Sequence, residues 1–508
     1  MLRAAHEGDI ATIQKMVEAE PALVRCQYEY RTPLYFSVRG NRVDVAKYLI
    51  EHGADTVGLA IFDGLIDVAH YRGYAEMEAE LVAALSAKTG YSKRCLAVGR
   101  LIREQKLEEM RRMLDASPEL VRCADATSNQ PIHWAVMSRQ LAFVDELLAR
   151  GADINARRAD GARPLQLCNG DYAYRGWRDV PAGTVTTPSQ IRAHLLERGA
   201  YLDIYVAAQM GNIARVRELL DEDPGLVNRV SEYMGCYVGA GSALFNAAAM
   251  GHIDIVKLLL ERGADPNLPE EAIAPYGRAL YSAVEHEHYE IAKLLLEHGA
   301  NASAAVESSG DCLSRATGNE DERMIELLAS YGGTQSMEVM AYYGDVRTAA
   351  AVFNANPALA KDENAISNAA SEGQEAFVRL MLRHQPDLLK TYACVGSTVE
   401  ITELLFRNGM NANQSNWLGI TRLHEIAGRG NVEQARVFLK HGADINVRDG
   451  DLCSTPLAWA ARSGRLEMVE LLLESGARKT LPDDPPWATP LAWAERNGHQ
   501  QVVDLLRL

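Results

Sequence analysis

The chain has 508 residues, 47% of them hydrophobic and 24% charged, with 68 acidic against 52 basic side chains and a net charge of −16. That surplus of carboxylates argues against a nucleic-acid backbone or an anionic membrane as the main partner. Eight scattered cysteines without a C-x-x-C pair fit neither a disulfide framework nor a zinc module, and with no signal-type apolar core or bilayer-length apolar run the expected compartment is the cytoplasm.

In chain order, the sequence "MLRAAHEGDIATIQ" opens directly in a helix and is followed by "AEPALV" (19–24), "TPLY" (32–35) and "EHGAD" (51–55). Residues 63–90 are a weaker copy of the same plan. "ASPELV" (116–121), "QPIH" (130–133) and "ARGAD" (149–153) then restore it. Further on come "DPGLV" (223–227), "ERGAD" (261–265), "EHGAN" (297–301), "NPALA" (356–360) and "QPDLL" (385–389). A short copy at 392–413 precedes "TRLH" (421–424), "KHGAD" (440–444), "TPLA" (455–458), "ESGAR" (474–478) and "TPLA" (489–492), and the chain closes on "VVDLLRL".

Each motif has a physical task. In "STPLAWAARSGRLEMVELLLESGA", Thr455 is placed to cap a first helix and Pro456 to occupy its first turn, where no amide partner is lost. Ala458, Ala460 and Ala461 allow close approach to neighbouring helices. Gly464 turns the chain into a second helix and Gly476 ends it. In the proline variant the second helix stops at Pro, and the Leu that follows is expected to tuck back. One helix pair cannot bury its own apolar face, so stacking must supply the core.

The recurring T-P-L-H and G-A-D motifs, with Gly409, Gly442 and Gly476 spaced 33 and 34 apart, resemble the ankyrin-repeat family over essentially the whole chain. The resemblance implies an all-α solenoid of helix-turn-helix repeats with β-turn fingers, a single superhelical array of about 15–16 repeats. It also implies that fingers and first helices line a concave face where partners bind. Three stretches are distinguished: residues 1–159, 160–345 and 346–508, the middle one carrying long aromatic finger insertions.

The departures are concentrated in that middle stretch. "CNGDYAYRGWRDVPAGTVTTP" (168–188) replaces the rest of a first helix and rejoins a second helix at "SQIRAHLLERGAYLD". "SEYMGCYVGAGSALF" (231–245), "NLPEEAIAPYGRALY" (267–281) and "AAVESSGDCLSRA" (304–316) follow, and "MAYYGDV" (340–346) adds two tyrosines. Because consecutive repeats stack, these segments should be neighbours. Tyr172, Tyr174, Arg175 and Trp177, with Arg178 beside them, would then face Tyr233, Tyr237, Tyr276 and Arg278, and Tyr342 and Tyr343 would join them at the rim. Large aromatic faces with polar tips beside guanidinium groups suit recognition. The competing assignment is packing, with the inserts filling a gap left by an imperfect repeat.

Catalytic signatures are weak. "LHEIA" (423–427) lacks the second histidine of a zinc protease, so His424, like His133, is read as structural. His286 and His288 have no third ligand at metal spacing. "GCYVGAGS" has glycines without phosphate-loop spacing. Asp171, Asp179, Glu270, Glu271, Glu307 and Asp311 offer carboxylate pairs of the kind that hydrolyse sugars. The leading expectation is a monomeric scaffold, free of metal and cofactor, that binds a protein or peptide through residues 160–345. The alternative is a central pocket that binds or hydrolyses a small polar, saccharide-like ligand.

Overall fold

The computed structural model describes the whole chain except residues 29–30, 57–63, 172–173, 234–236, 271–273 and 308. It comprises two compact units, Met1–Gly333 and Thr334–Leu508. Ten helix pairs make up the first and six the second, among the described residues.

The repeat that runs from Ser454 shows how sequence becomes structure. Thr455 accepts a hydrogen bond from the Ala458 amide and caps Pro456–Arg462. Ala458, Ala460 and Ala461 are buried, and this helix packs between Arg422–Arg429 and Pro490–Arg496, the first helices of the repeats on either side. Gly464 and Gly476 adopt positive φ where the chain turns. The second helix, Leu466–Glu474, buries Met468, Val469, Leu471 and Leu472 and packs against Val432–Lys440 and Gln500–Arg507, its counterparts. Around this repeat, first helices thus stack on first helices and second on second. In the first unit an apolar core extends from Cys95 to Leu328; in the second, one extends from Met340 to Leu506.

The proline variant corrects one expectation. In four copies the proline begins a tight 3-10 turn, Pro21–Arg25, Pro118–Arg122, Pro224–Asn228 and Pro357–Ala360, while in the copy at 385–389 the buried Leu388 and Leu389 open the short α-helix Leu388–Thr391. The residue buried throughout is the one after the leucine: Val24, Val121, Val227 and Ala360. Leu120 is buried too, whereas Leu359 is exposed. The three-residue period of such a turn rolls the fourth residue inward.

The largest irregularity falls where the sequence places it. Pro164–Leu167 is only a 3-10 turn, and the next helix is Pro188–Glu197, the second helix of that repeat. The finger at 304–316 holds a minimal antiparallel hairpin, Ala305–Val306 with Gly310–Asp311.

Candidate functional site

Two inserts of the first unit, 168–188 and 231–245, converge on one buried guanidinium. Arg158 stands in the finger that precedes the Pro164–Leu167 turn. Its Nη1 donates to Asp171 at 2.7 Å and to the Asn129 side-chain oxygen at 2.9 Å. Its Nη2 donates to Asp160 at 2.8 Å and to the Tyr237 hydroxyl at 3.0 Å. Tyr237 in turn donates to Asp160 at 2.8 Å. Asp171 comes from the 168–188 insertion and Tyr237 from the 231–245 finger, so segments far apart in sequence become adjacent walls. Burial opposes the charge on Arg158, but the Tyr237, Asp160 and Asp171 groups around it outweigh burial and hold its pKa above the ordinary arginine value. Burial pushes the Tyr237 phenol up, which keeps it a hydrogen-bond donor.

Further contacts pin both inserts. The Val238 amide donates to the Gln166 carbonyl at 3.0 Å, and Arg157 pairs with Glu232 at 2.6 Å. Gln166 and Tyr233 both donate to Asp203, at 2.8 and 3.1 Å, and Asp203 also caps the helix Ile204–Gln209. Burial raises the Asp203 pKa against these hydrogen bonds.

Within the insertion, Asp171 accepts from the Tyr174 amide at 2.6 Å and its own amide donates to the Tyr174 carbonyl at 2.8 Å. Gly170 sits at φ +90, and a Cβ there would come within 2.2 Å of the Tyr174 carbonyl oxygen. This tight loop turns Tyr174 inward, where its ring meets the edge of Trp134 at 5.4 Å. Trp134 donates from Nε1 to Asp125 at 2.9 Å and lies across Gly99 of the preceding first helix, where a Cβ would come within 2.9 Å of the indole. Arg103 covers the Trp134 ring at 4.5 Å. Three positions beyond Tyr174, Trp177 points outward, 62% exposed, with the Arg175 guanidinium 5.0 Å from its ring.

The nominated residues therefore divide. Tyr174, Tyr233 and Tyr237, expected as contact side chains, are buried; the rings of Tyr233 and Tyr237 lie 6.3 Å apart. Their hydroxyls or backbone groups close polar networks beneath the surface, which is the packing assignment. Tyr172 and Glu271 lie outside the described residues. Trp177, Tyr276, Tyr342 and Tyr343 are exposed. Tyr342 and Tyr343 belong to the second unit and pack edge to face at 5.2 Å. Arg278 covers Phe245 at 3.8 Å and pairs with buried Glu270 at 3.1 Å.

The carboxylates considered for hydrolysis have structural partners. Asp171 holds Arg158. Asp179 accepts from Arg178 at 2.8 Å and from the Arg175 amide at 3.0 Å, and the Arg178 hydrogen bond holds it below the ordinary carboxylate range. Asp311 is buried and caps Cys312–Gly318 by accepting from Ser314, and Glu307 is exposed on the small hairpin. Burial pushes the Glu270 pKa up while Arg278 draws it down.

The histidines of the T-P-L-H position are structural, as expected. In His133, Nδ1 accepts from the Gln130 amide and Nε2 donates to the Ala156 carbonyl, both at 3.0 Å. Burial lowers its pKa to about 3. His424 repeats the arrangement with the Thr421 amide and Ser454 carbonyl.

Comparison with known proteins decides the family. A family model described as ankyrin repeats (3 copies) matches residues 204–306 and 389–483, and the model of the single ankyrin repeat matches 29–59 and 129–159. The chain is an ankyrin-repeat protein. Its similarity to curated proteins is local. It is 44% identical over 64 residues to mouse ankyrin repeat and SAM domain-containing protein 6, covering 12% of this chain and 6% of that one. It is 42% identical over 52 residues to the Arabidopsis thaliana serine/threonine-protein kinase VIK, covering 10% and 12%. A putative ankyrin repeat protein of Fowlpox virus (strain NVSL) is 39% identical over 66 residues, covering 13% and 35%. The chain thus spans well under half the length of each of these relatives. The single-repeat match at 129–159 ends just before the insertion, so the ankyrin pattern accounts for Trp134 and Arg158 as positions but not for what they hold. Among the described residues no helix is long and apolar enough to cross a membrane.

Sequence reasoning missed Arg158, Asp160 and Asn129, and also Trp134, Arg103 and Arg139 beneath the insertion. The only advance signal was compositional: "NARRADGARP" places three arginines in a finger of an acidic ankyrin protein.

Proposed function

We propose that this ankyrin-repeat protein is a binding scaffold that holds a protein or peptide on the face formed by its first helices and fingers, with the 168–188 insertion as the main contact element. The observation that carries this reading is the contrast inside that insertion. Buried Asp171 and Tyr174 fix the loop, and Trp177, 62% exposed, stands on the fixed base. A large aromatic presented on a rigid support loses little freedom on binding, which is the usual character of an interface anchor. Tyr276, half exposed on the 267–281 finger, is a second candidate anchor. The saccharide reading is weaker because Asp171, Asp179 and Asp311 are engaged in holding the loops and a helix end.

The test is site-specific photocrosslinking of the full chain. A benzophenone side chain at position 177 should yield a discrete protein adduct, and the same group at Arg217 on a second helix should not. Equal labelling at the two positions, or none at 177, would refute the assignment of the insertion as the contact element.

A further inference from the structure

Two arginines, Arg103 and Arg139, flank Tyr174 beneath the insertion, and a third, Arg175, lies beside the exposed indole. Arg139, just past the helix Pro131–Met137, lies against Gly176, where a Cβ would come within 2.7 Å of its guanidinium. Arg103 reaches across Trp134 from the preceding first helix and donates to the Gly99 carbonyl at 3.3 Å. Arg175 lies beside Trp177. Tyr174 is pushed up in pKa by burial, drawn back by a hydrogen bond with Ser138 and by the charges of Arg103 and Arg139, and opposed in this by Asp179.

The charge balance at this place is opposite to that of the chain. No carboxylate pairs with Arg139 or Arg103 among the described residues; the ion pairs run elsewhere. The nearby acids are Asp179, which Arg178 and the Arg175 amide engage, and Glu104, which pairs with Lys106 at 2.8 Å. Arg139 is partly buried, its Nε is shielded and has no acceptor, and burial pulls its pKa down. A partly desolvated cation with no paired carboxylate carries a cost that an arriving anion reduces. Arginine suits the task because its planar fork can grip a carboxylate with two parallel hydrogen bonds.

We propose that Arg103 and Arg139 form a seat for a carboxylate side chain of the partner, in a segment that also carries an apolar or aromatic residue to lie on Trp177. This rests on the protein-binding reading above and supplies its chemistry: an acidic, amphipathic peptide. The net charge of −16 disfavours long polyanions, since they would meet repulsion beyond the cluster, whereas a short acidic segment need reach only the two arginines, the nearest carboxylates being already engaged by Arg178 and Lys106.

The experiment selects random displayed peptides on the full-length protein and measures one synthetic winner by fluorescence anisotropy. Selected peptides should carry Asp or Glu within a few positions of Trp, Phe or Leu. Affinity should fall about tenfold or more for Arg139→Gln and for Arg103→Gln, and equally when the peptide's acid is replaced by its amide. Added salt should weaken binding. Arg103 is exposed, so Arg103→Gln reports on the seat even if Arg139→Gln lowers the melting temperature. Winners without acids that lose affinity with Trp177→Ala but not with the arginine changes overturn the seat and leave the protein-binding reading standing. No enrichment, or a single-stranded oligonucleotide that displaces the peptide at lower concentration than the peptide's own Kd, overturns it as well.

Discussion

Arg158 and Asp171 meet at 2.7 Å through side chains that are 6% and 4% exposed, and this pair joins the finger of one repeat to the insertion of the next. Breaking a buried ion pair from one side leaves the other charge without compensation, at a cost of about 3–5 kcal/mol. Arg158→Met should therefore loosen both inserts together, since Tyr237 and Asp160 lose the same partner. Hydrogen exchange of amides in 160–176 and 237–242 reads this directly. A loss of protection confined to one insert, or smaller than about 1 kcal/mol, would mean that Arg158 does not couple them.

Gly170 bears on the same loop from the backbone side. At φ +90, with the Tyr174 carbonyl oxygen 2.2 Å from where a Cβ would stand, Gly170→Ala must open the turn that points Tyr174 inward. The expected cost is about 2 kcal/mol or more. Denaturant unfolding of the full chain, with Gly183→Ala as the control in open space at positive φ, separates the clash from the torsional cost. Equal effects at both positions would remove the close approach as the cause.

Much of this architecture was legible in the sequence. Helix pairs, capping threonines and the convergence of 168–188 with 231–245 follow from local motifs and from the rule that stacked repeats bring successive fingers together. What the sequence hid was which aromatic turns inward. Tyr174 and Trp177 are three residues apart in one irregular loop without a period to sort faces, and one is buried while the other is exposed. Their sorting depends on Gly170, on Asp171 and on a guanidinium thirteen positions upstream. Tyr237 likewise finds Arg158 across 79 positions, a separation that local pattern cannot register. The proline variant was legible only in part: the helix stops at the proline, but the 3-10 turn that follows in four copies turns the residue after the leucine to the core, with Leu120 buried and Leu359 exposed.

His133 and His424 give the fold a defined acid sensitivity. In each, Nδ1 accepts a backbone N–H and Nε2 donates to a carbonyl, so the neutral ring is the one that fits. Burial lowers both pKa values, His133 to about 3. The unfolded chain, with histidine near 6.5, binds the proton first. Stability from these rings is complete above about pH 6.5 and drains as pH falls toward the folded value, by up to about 1.4 kcal/mol per pH unit for each ring. His133→Gln should melt lower than wild type near neutrality, but its melting temperature should fall less steeply between about pH 6.5 and about pH 4.5. Parallel curves for the two proteins would show that the ring accepts a proton without leaving its place.

Trp134 and Trp177 share a side chain and a neighbourhood but should fail in different assays. Trp134 lies between Gly99, Tyr174 and Arg103 and donates to Asp125. Trp134→Ala empties a packed site and strands a buried acceptor, an expected loss of about 3–5 kcal/mol. Trp177 is mostly in solvent, so Trp177→Ala should leave the unfolding midpoint within about 0.5 kcal/mol of wild type. Its effect should appear in binding instead, because the indole contributes area only when a partner covers it. If Trp177→Ala proved as destabilising as Trp134→Ala, its ring would belong to the fold and the insertion would lose its aromatic contact. If it changed neither stability nor crosslinking yield at neighbouring Arg178, the interface would have to lie on other fingers.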